Sequence, residues 1–573
     1  MLISCRKLKK SFGGMVVLDS IDLDICPGDR IGIVGRNGSG KTTLANIITG
    51  CLEYDGGSVI TTRQTMNTGY LKQHNLEPHF FINTSNSKEE QGEFRRLTSY
   101  LGIKQISEWS DERLKSLSGG EKTKLALAEV WASQPDLVVL DEPTNHMDFS
   151  GISYLIAELS IFKGAAVIIS HDRYFLDQTV SQIAEMENGR IRLYKGNYSS
   201  YWQARQKERE DQLHLYQSSQ KEQRKVSAAI KQLKSWSDKA HRESREKGEG
   251  IGGKEYYRKK AKKRDQAVKS QLKRLQRMQE QQIERPLTEL PANFNIYTSD
   301  KGAGRLLAAE DIAKAYGRLT LFKDSSFYIK RGEKVGLIGP NGCGKTTLVK
   351  TILGEEKLDS GRLYLSQTAR IAYVGQELPQ GEKECFKDLV KDKTAEEQKR
   401  IFQLMAGLGI PYDRLNTVLG DLSRGERMKI AIGMAVMNEN DLLILDEPTN
   451  HLDLFSRQAL EESLVEISGT LLVISHDRFF LQQVCDHLLI FDQQKIMRFS
   501  GRIEDYLNQK EANKIRVDNT AEEELLLLET KISRVLSDIS RYKPGDADYA
   551  VLDREYAMLI QQRQKLKMNL PAK

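Results

Sequence analysis

The sequence predicts an α/β fold in which two similar domains are joined by a long α-helical hairpin and followed by a second, shorter helical hairpin. Three observations support this prediction. A series of motifs recurs after about 305 residues, the segment between the copies is highly charged with apolar residues at helical spacing, and a Pro-Gly turn separates two helical runs near the end of the chain.

The repeat keeps both the order and the spacing of its motifs. The matched segments are IGIVGRNGSGKTT (31–43) with VGLIGPNGCGKTT (335–347), LVVLDEPTNHMD (137–148) with LLILDEPTNHLD (442–453), and VIISHDRYF (167–175) with LVISHDRFF (472–480). Lys41 is 100 residues before Asp141, and Lys345 is 101 residues before Asp446. The matched segments contain continuous apolar runs, which predict parallel strands that are covered on both faces. The reactive residues are then expected at the carboxyl ends of these strands.

Each copy contains a predicted phosphate loop between a strand and a helix. Its glycines allow successive backbone N–H groups to point at the phosphates, and the helix N-terminus favours the same negative charge. Lys41 and Lys345 are expected to bridge the β- and γ-phosphates, while Thr42 and Thr346 are expected to hold Mg²⁺. The predicted residues are Gly35, Asn37, Gly38, Ser39, Gly40, Lys41, Thr42 and Thr43, and Gly339, Asn341, Gly342, Cys343, Gly344, Lys345, Thr346 and Thr347.

Two acidic residues end the apolar runs LVVLDE and LLILDE, one pair in each copy. Asp141 and Asp446 are predicted to reach Mg²⁺, and Glu142 and Glu447 to orient or deprotonate the attacking water. An Asp-Glu pair after a strand is more often a solvated turn, but its register with the phosphate loop favours an ATPase site.

With these motifs in place, the chain resembles ATP-binding cassette (ABC) proteins, and LSGGE at 117–121 is similar to their signature motif. The resemblance implies roles for further residues. They are the adenine-stacking aromatics Phe12 and Tyr316, the Q-loop glutamines Gln73 and Gln376 near Mg²⁺, the signature residues Ser118, Gly119, Gly120 and Glu121 with Ser423, Gly425 and Glu426, the D-loop aspartates Asp148 and Asp453, and the catalytic switch histidines His171 and His476.

The second signature departs from the pattern because it reads LSRGE, with Arg424 in place of glycine. In cassette dimers each ATP lies between the phosphate loop of one half and the signature of the other. Ser118 is therefore expected to face the nucleotide on Lys345, and Ser423 the nucleotide on Lys41. Arg424 could leave the backbone amides usable or crowd the phosphate, so the two sites need not be equal.

The segment between the cassettes carries the positive charge of the chain. Residues 201–285 contain 24 Lys and Arg against 12 Asp and Glu, whereas the rest of the chain is acidic. Helices are predicted over 199–247 and 254–284, broken by GEGIGG at 248–253, with a tip near 236–257. The seam is predicted from Val226, Ile230, Leu233, Trp236 and Ala240 on one helix and Val268, Leu272, Leu275 and Met278 on the other.

A basic excess of this size favours phosphate binding over a merely solvated coiled coil. The predicted RNA-binding residues are Arg258, Lys259, Lys260, Lys262, Lys263 and Arg264. Trp236, Tyr256 and Tyr257 could be either seam residues or exposed stacking groups. The C-terminal runs 521–542 and 549–568 flank KPGDAD and predict the second hairpin.

Bulk composition excludes several classes of protein. The six cysteines form no CxxC pair, which argues against a zinc site or a disulfide framework. No apolar run is long enough for a membrane span, and the N-terminus lacks the apolar stretch of a signal peptide. A cytoplasmic location is therefore expected. The predicted domains are residues 1–197 and 306–508 for the cassettes, 198–305 for the linker and 509–573 for the C-terminal extension.

Tandem cassettes, the DEPTNHMD and DEPTNHLD motifs and a basic linker hairpin together resemble the ABC-F family. This resemblance implies a monomeric ATPase, using ATP and Mg²⁺, whose cassettes pair within one chain. It also implies binding at the exit-tRNA site of the ribosome, with large-subunit ribosomal RNA and the P-site tRNA as partners, in the ATP-bound form, and release after hydrolysis.

Within that family, two features favour protection from antibiotics that act at the peptidyl-transferase centre over a housekeeping translation role. Only 45 residues separate Gln73 from Ser118, which leaves no room for an arm insertion, and the linker of about 108 residues is long. Two other classes stay open from the sequence. A transporter ATPase subunit would associate with membranes, and a DNA-binding or repair ATPase would be retained on duplex DNA.

Overall fold

The computed structural model describes the chain except residues 63–65, 73–91, 93, 95, 99–118, 146, 247–252, 281–303, 367–368, 376–384, 409, 411, 438–439, 451, 468, 511, 513–527, 529–530, 533–534, 537–538, 540–546 and 570–573. The chain forms two compact units. The first comprises Met1–Asn295, Glu377–Met437 and Thr449–Ile467, and the second comprises Ile296–Gln376, Asn438–Pro448 and Ser468–Lys573.

The first unit contains two sheets from the first cassette. An antiparallel sheet has the strand order β2-β1-β4, and a six-stranded sheet has the order β5-β6-β7-β3-β8-β9, in which only β9 is antiparallel to its neighbour. The strands are β1 Ile3–Phe12, β2 Met15–Ile25, β3 Arg30–Gly35, β4 Gly56–Thr61, β5 Thr68–Leu71, β6 Leu137–Asp141, β7 Ala165–Ile169, β8 Gln182–Glu187 and β9 Arg190–Lys195.

The central strands of the six-stranded sheet are covered on both faces. Every residue of β6 and β7 is buried, as their continuous apolar runs predict for parallel strands. One core lies toward the antiparallel sheet, and a second lies against the helices that follow β6 and β7. The described helices of this unit are Lys41–Ile48, Gly119–Ala132, Phe149–Ile161, Arg173–Thr179, Tyr198–Glu246 and Gly253–Glu280, with Phe386–Leu389, Ala395–Gly407, Arg424–Met437 and Leu454–Glu466 from the second cassette.

The linker is an antiparallel pair of helices, Tyr198–Glu246 and Gly253–Glu280, which confirms the predicted hairpin. Val226, Ile230 and Val268 are buried between the two helices. Trp236, which the sequence left open between a seam position and an exposed stacking group, is 47% exposed. Residues of the seam follow one another at spacings of four and three, so the position after Leu233 is Ser237. The prediction considered only apolar residues and therefore did not include this serine.

Polar contacts complete this seam. The buried Ser237 donates a hydrogen bond from Oγ to Asp265 Oδ1 at 2.5 Å, and Arg274 pairs with Glu222 at 2.7 Å. The side chain of Ala240 lies outside the described residues. Hydrogen bonds between paired positions fix the register of the helices, which apolar contacts alone specify weakly.

The base of the long helix is anchored to the first cassette through one buried carboxylate. Glu185, on β8, accepts hydrogen bonds from Tyr201 Oη at 2.9 Å and from Arg205 Nε at 3.0 Å. Arg205 also donates to Glu187 at 3.0 Å, so its guanidinium bridges two residues of the same strand. The first turns of the helix are therefore fixed to β8, the strand next to the β9 edge of the six-stranded sheet.

The second unit repeats the two-sheet arrangement. Its antiparallel sheet has the order β11-β10-β13, and its six-stranded sheet has the order β14-β15-β16-β12-β17-β18. The strands are β10 Arg305–Tyr316, β11 Leu319–Lys330, β12 Lys334–Ile338, β13 Ser360–Leu365, β14 Ile371–Val374, β15 Leu442–Asp446, β16 Thr470–Ile474, β17 His487–Asp492 and β18 Lys495–Ser500. Its helices include Lys345–Ile352, Arg478–Val484 and Ala547–Asn569.

Ala547–Asn569 matches the predicted second arm of the C-terminal hairpin. Most of the predicted first arm, 521–542, lies outside the described residues. Among the helices that the structure describes, none combines the length and the apolar character that crossing a membrane requires.

Candidate nucleotide sites

The first phosphate loop follows β3 in a conformation that depends on glycine. Gly40 has φ 97°, and a Cβ added there would lie 2.9 Å from Leu18 Cδ2 and Val17 Cγ1. A Cβ added to Gly35 would lie 2.5 Å from the carbonyl oxygen of Met186 on β8. The loop can therefore turn into the helix Lys41–Ile48 while its strand packs directly on β8.

The predicted metal ligands of this loop are brought together. Thr42 Oγ1 donates a hydrogen bond to Asp141 Oδ2 at 2.8 Å, so a hydroxyl and a carboxylate lie side by side at the ends of two neighbouring elements. Lys41 folds over the loop and donates from Nζ to the carbonyls of Gly35 at 2.9 Å and Arg36 at 3.0 Å. Burial lowers the pKa of Lys41, an effect that the carboxylates of Glu142, Asp453 and Asp141 oppose.

Glu142 occupies a strained backbone position beside the switch histidine. Its φ is +53°, unusual for a residue with a side chain, and its N–H donates to the carbonyl of Ile169 at 2.8 Å. Its Oε1 lies 3.4 Å from His171 Nε2. Burial raises the pKa of the Glu142 carboxyl to about 7, partly offset by the guanidinium of Arg457. Burial, together with the cations Lys41 and Arg457, holds the pKa of His171 well below its usual range.

The second cassette contributes residues to the same cavity within the first unit. Asp453 Oδ2 accepts a hydrogen bond from the backbone N–H of Asn37 at 3.1 Å, which joins the D-loop of one cassette to the phosphate loop of the other. The cavity has a volume of about 440 Å³. Its lining is Phe12, Val17, Asn37, Gly38, Gly40, Lys41, Thr42, Thr43, Asp141, Glu142, Asn145, Ile169 and His171 from the first cassette and Ser423, Arg424, Gly425 and Arg457 from the second.

The second signature motif forms a capped helix start at this cavity. Glu426 Oε2 accepts hydrogen bonds from Ser423 N at 2.9 Å and Ser423 Oγ at 2.8 Å, while Arg414 binds both carboxylate oxygens of Glu426 at 2.9 Å. The Arg414 hydrogen bond is the largest cause that lowers the pKa of Glu426, to about 2. Arg424 is the first residue of the helix Arg424–Met437 and lines the cavity, so it does not displace the signature from the phosphate loop.

The second unit holds the corresponding residues of the Lys345 site. Lys345 Nζ donates to the carbonyls of Gly339 at 2.7 Å and Pro340 at 3.2 Å, and it lies 3.0 Å from His476 Nε2. Glu447 has φ +50°, and burial raises the pKa of its carboxyl to about 8. Asp446 accepts a hydrogen bond from Tyr373 Oη at 3.4 Å, and burial raises the pKa of this carboxyl as well.

The two predicted adenine-stacking residues share an environment. Phe12 and Tyr316 are each 48% exposed at the ends of β1 and β10. A lysine ammonium lies over each ring, with Lys10 Nζ 5.5 Å from the centroid of Phe12 and Lys314 Nζ 5.0 Å from that of Tyr316. An open ring face is what stacking on a base requires, whereas core packing would bury the ring.

These residues fit ATP with Mg²⁺. Among the described residues, Ser39 Oγ, Glu142 Oε1 and His171 Nδ1 are buried without a hydrogen-bond partner, as polar groups meant for a ligand can be. Thr42 and Asp141 supply the hard oxygen ligands that Mg²⁺ prefers, and Thr346 and Asp446 are their counterparts. Bound Mg²⁺ would neutralise charge on the phosphates, Lys41 and the loop amides would hold them, and Glu142 is placed where it could orient the water.

Some predicted residues are not placed. Gln73, Gln376 and Ser118 lie outside the described residues, whereas Gly119, Gly120 and Glu121 begin the helix Gly119–Ala132. Asp148 caps the helix Phe149–Ile161 by accepting from Gly151 N at 3.0 Å. The sequence-based prediction missed Arg457, which comes four residues after Asp453. Comparing the repeats could have found it, because the first cassette has Ile152 at that position.

The two sites are predicted to differ in turnover. If Arg424 weakens the Lys41 site, most hydrolysis takes place at the Lys345 site. Glu447→Gln alone should then reduce steady-state ATPase activity more than Glu142→Gln alone. Equal losses in the two single variants, measured at saturating ATP, would contradict this asymmetry.

Comparison with known proteins agrees with this geometry. A family model described as ABC transporter matches residues 18–145 and 322–450, and a second model with the same description matches residues 184–248. The chain is 36% identical to the ribosome protection protein VmlR of Bacillus subtilis (strain 168), over 96% of this chain and 95% of that protein. It is 28% identical to ABC transporter F family member 2 of Arabidopsis thaliana, over 91% of this chain and 81% of that protein.

A solved structure has the same fold. The chain matches the structure titled RNase-L Inhibitor with a TM-score of 0.59 at 19% identity, covering 89% of this chain and 93% of that one. The family matches and the two cassettes identify an ATPase that hydrolyses ATP. The paired cassettes, the helical linker and the extent of these similarities together show that the chain belongs to the ABC-F family of ATP-binding cassette proteins.

Proposed function

We propose that this protein is a ribosome-protection ATPase, which enters the exit-tRNA site in its ATP-bound form and protects the ribosome from antibiotics that act at the peptidyl-transferase centre. Hydrolysis of ATP then releases it. The observation that supports this most strongly is the similarity, along 96% of the chain, to a protein named for ribosome protection. The lincosamides, pleuromutilins and group A streptogramins are the drug classes to test first.

The linker hairpin supports a polyanionic partner. The lysines and arginines whose side chains are described between residues 221 and 277 are all exposed. They are Lys221, Arg224, Lys225, Lys231, Lys234, Lys239, Arg242, Lys259, Lys262, Lys263, Lys269, Lys273, Arg274 and Arg277. Exposed cations on a long, narrow support suit contacts with phosphates on both sides of a channel in folded RNA.

Contacts at the Lys41 site support the proposal that nucleotide binding controls the association of the cassette segments. Asp453 bonds the phosphate loop that holds Lys41, so nucleotide binding and the association of cassette segments share the same residues. A buried Glu142 with its pKa raised to about 7 is suited to act on water once the site closes. Hydrolysis removes the γ-phosphate that both sides of the cavity would hold, which weakens their association.

Drug susceptibility tests the proposal directly. Expression of the protein in a sensitive bacterial host should raise the inhibitory concentration of at least one of these drugs, and expression of the Lys41→Ala/Lys345→Ala variant should not. Protection by neither protein against any ribosome-targeting drug would contradict the resistance role. If ribosome binding persisted in that case, a housekeeping translation role would take its place.

The basic stretch 258–264 allows a quantitative test of the RNA contact. Lys259, Lys262 and Lys263 are exposed on the helix Gly253–Glu280, while the side chains of Arg258, Lys260 and Arg264 lie outside the described residues. Replacing those three lysines by Gln should weaken ribosome binding. It should also reduce the slope of log affinity against log salt by about two, because each phosphate contact contributes roughly 0.7 for single strands.

The matched control changes the same charge elsewhere. Lys163, Lys323 and Lys495 are exposed on the cassettes, and their replacement by Gln alters net charge equally. Binding is measured by sedimentation with ribosomes over a series of salt concentrations. An unchanged slope in the hairpin variant, or the same reduction in the control, would show that residues 258–264 do not contact phosphates.

A further inference from the structure

The helix Leu454–Glu466 of the second cassette lies against the switch histidine of the first, and two arginines cross between them. Arg457 Nη1 donates to the carbonyl oxygen of His171 at 2.8 Å. In the opposite direction, Arg173 Nη1 donates to Glu461 Oε2 at 2.9 Å, and Arg173 Nη2 donates to the carbonyl of Leu454 at 3.4 Å. These four residues, Arg457, His171, Arg173 and Glu461, are called the switch clasp below.

Arg457 is the central member of the switch clasp. Its side chain is buried, with 7% of the residue exposed, and its Nε donates to the carbonyl of Leu452 at 3.1 Å. One planar guanidinium thus spans a backbone carbonyl of each cassette. The same side chain lines the cavity that contains Lys41 and Glu142. A rigid fork with fixed donors is well suited to hold two loops at a set distance.

The repeat provides the switch clasp at only one site. In the first cassette, Ile152 stands at the position of Arg457 and Ile156 at the position of Glu461. Ile152 packs in the apolar core of its own cassette. An isoleucine side chain cannot donate a hydrogen bond or carry charge, so the Lys345 site receives no arginine from the corresponding helix position.

We propose that Arg457 is a positioning residue of the Lys41 site, supplied by the second cassette to the switch loop of the first. This proposal rests on the roles proposed for Glu142 and His171. The imidazole of His171 lies 3.4 Å from Glu142. Because Arg457 binds the backbone carbonyl of His171, it fixes the position of this imidazole relative to Glu142. Chemistry at the Lys41 site then depends on the second cassette being in place, and chemistry at the Lys345 site does not depend on an equivalent residue.

Steady-state ATPase activity without ribosomes tests this inference in two backgrounds. Arg457→Met keeps most of the side-chain volume but removes the donors. In the Glu447→Gln protein, where the remaining hydrolysis belongs to the Lys41 site, Arg457→Met should lower kcat by about 10-fold to 100-fold. In the Glu142→Gln protein the same change should have almost no effect, because the site that it serves is already inactive.

Two further variants separate positioning from folding. Arg457→Lys keeps the charge and one donor, so it should restore part of the kcat. Gln458→Ala, the adjacent change on the same helix, removes a hydrogen bond to Glu462 and should leave kcat unchanged. Thermal unfolding midpoints of all variants should agree closely. Equal losses of activity in the two backgrounds, or a change confined to KM, would overturn the proposal.

Retained nucleotide gives a second readout if Glu447→Gln alone abolishes hydrolysis. The Glu142→Gln/Glu447→Gln protein should retain ATP at both sites after gel filtration. Adding Arg457→Met should release the ATP of one site, because the switch clasp joins the cassettes around that nucleotide. Undiminished retention, or loss from both sites, would count against the proposal. Neither assay uses ribosomes, so failure of the ribosome-protection proposal leaves this test intact.

Discussion

Replacing both Glu142 and Glu447 by Gln should yield a protein that binds ATP, retains it and remains on ribosomes. Glutamine preserves the shape and hydrogen bonding of the side chain, but it cannot accept the proton of the attacking water. Because a general base contributes roughly 100-fold or more, ATPase activity should fall by at least that factor. Sedimentation with ribosomes in ATP should increase, and expression should slow growth.

A matched control separates loss of the base from loss of charge. Glu158 and Glu466 lie on the helices that follow the two proposed catalytic carboxylates, and their joint replacement by Gln should change neither activity nor sedimentation. Recovery of the Glu142→Gln/Glu447→Gln protein free of ribosomes in the presence of ATP would show that nucleotide does not gate ribosome binding as proposed.

Changes near the tip of the linker hairpin should abolish antibiotic protection while leaving ribosome binding largely intact. Contacts between the hairpin and phosphates are expected to hold the protein on the ribosome, whereas action at the drug site requires that the tip of the hairpin extends to that site. Shortening 248–253, or changing Trp236 or Tyr256 to Ala, should therefore return the inhibitory concentration to that of the host. Because Trp236 is 47% exposed, its loss should cost about 1 kcal/mol or less of stability.

The seam offers the structural control for this experiment. Ile230 is buried between the helices, so Ile230→Ala should destabilise the hairpin by about 2–5 kcal/mol. Circular dichroism and binding should both change in Ile230→Ala, and neither should change in Trp236→Ala. Retained protection in all three tip variants, with normal expression, would contradict a role for the tip in acting on the drug site.

The sequence predicts the cassettes well because their chemistry and their fold use the same residues. The strand ending at Asp141 must be parallel and buried to present its carboxylate beside Thr42, and that requirement leaves a continuous apolar run. A glycine such as Gly40 is required by a left-handed backbone at the helix start. Such local demands repeat in register in both halves of the chain.

Contacts that differ between the halves are marked in the sequence only by a mismatch between the repeats. Arg457 occupies a position where its counterpart is Ile152, and a search for matching motifs passes over a position that does not match. Its meaning depends on the carbonyl of His171, which lies 286 residues away in the sequence. Ser237 was missed for a related reason, since a seam defined by apolar residues does not include a hydroxyl that bonds Asp265.

The anchor at Glu185 makes the linker hairpin a lever whose short end lies beside the first phosphate loop. β3 runs directly into that loop and is hydrogen-bonded to β8, and Glu185 on β8 holds the helix through Tyr201 and Arg205. The helix Tyr198–Glu246 has 49 residues. At 1.5 Å per residue it is about 74 Å long, so a tilt of one degree at the anchor displaces its far end by about 1.3 Å. A rotation of a few degrees at β8 would therefore displace the far end of the helix by several ångströms.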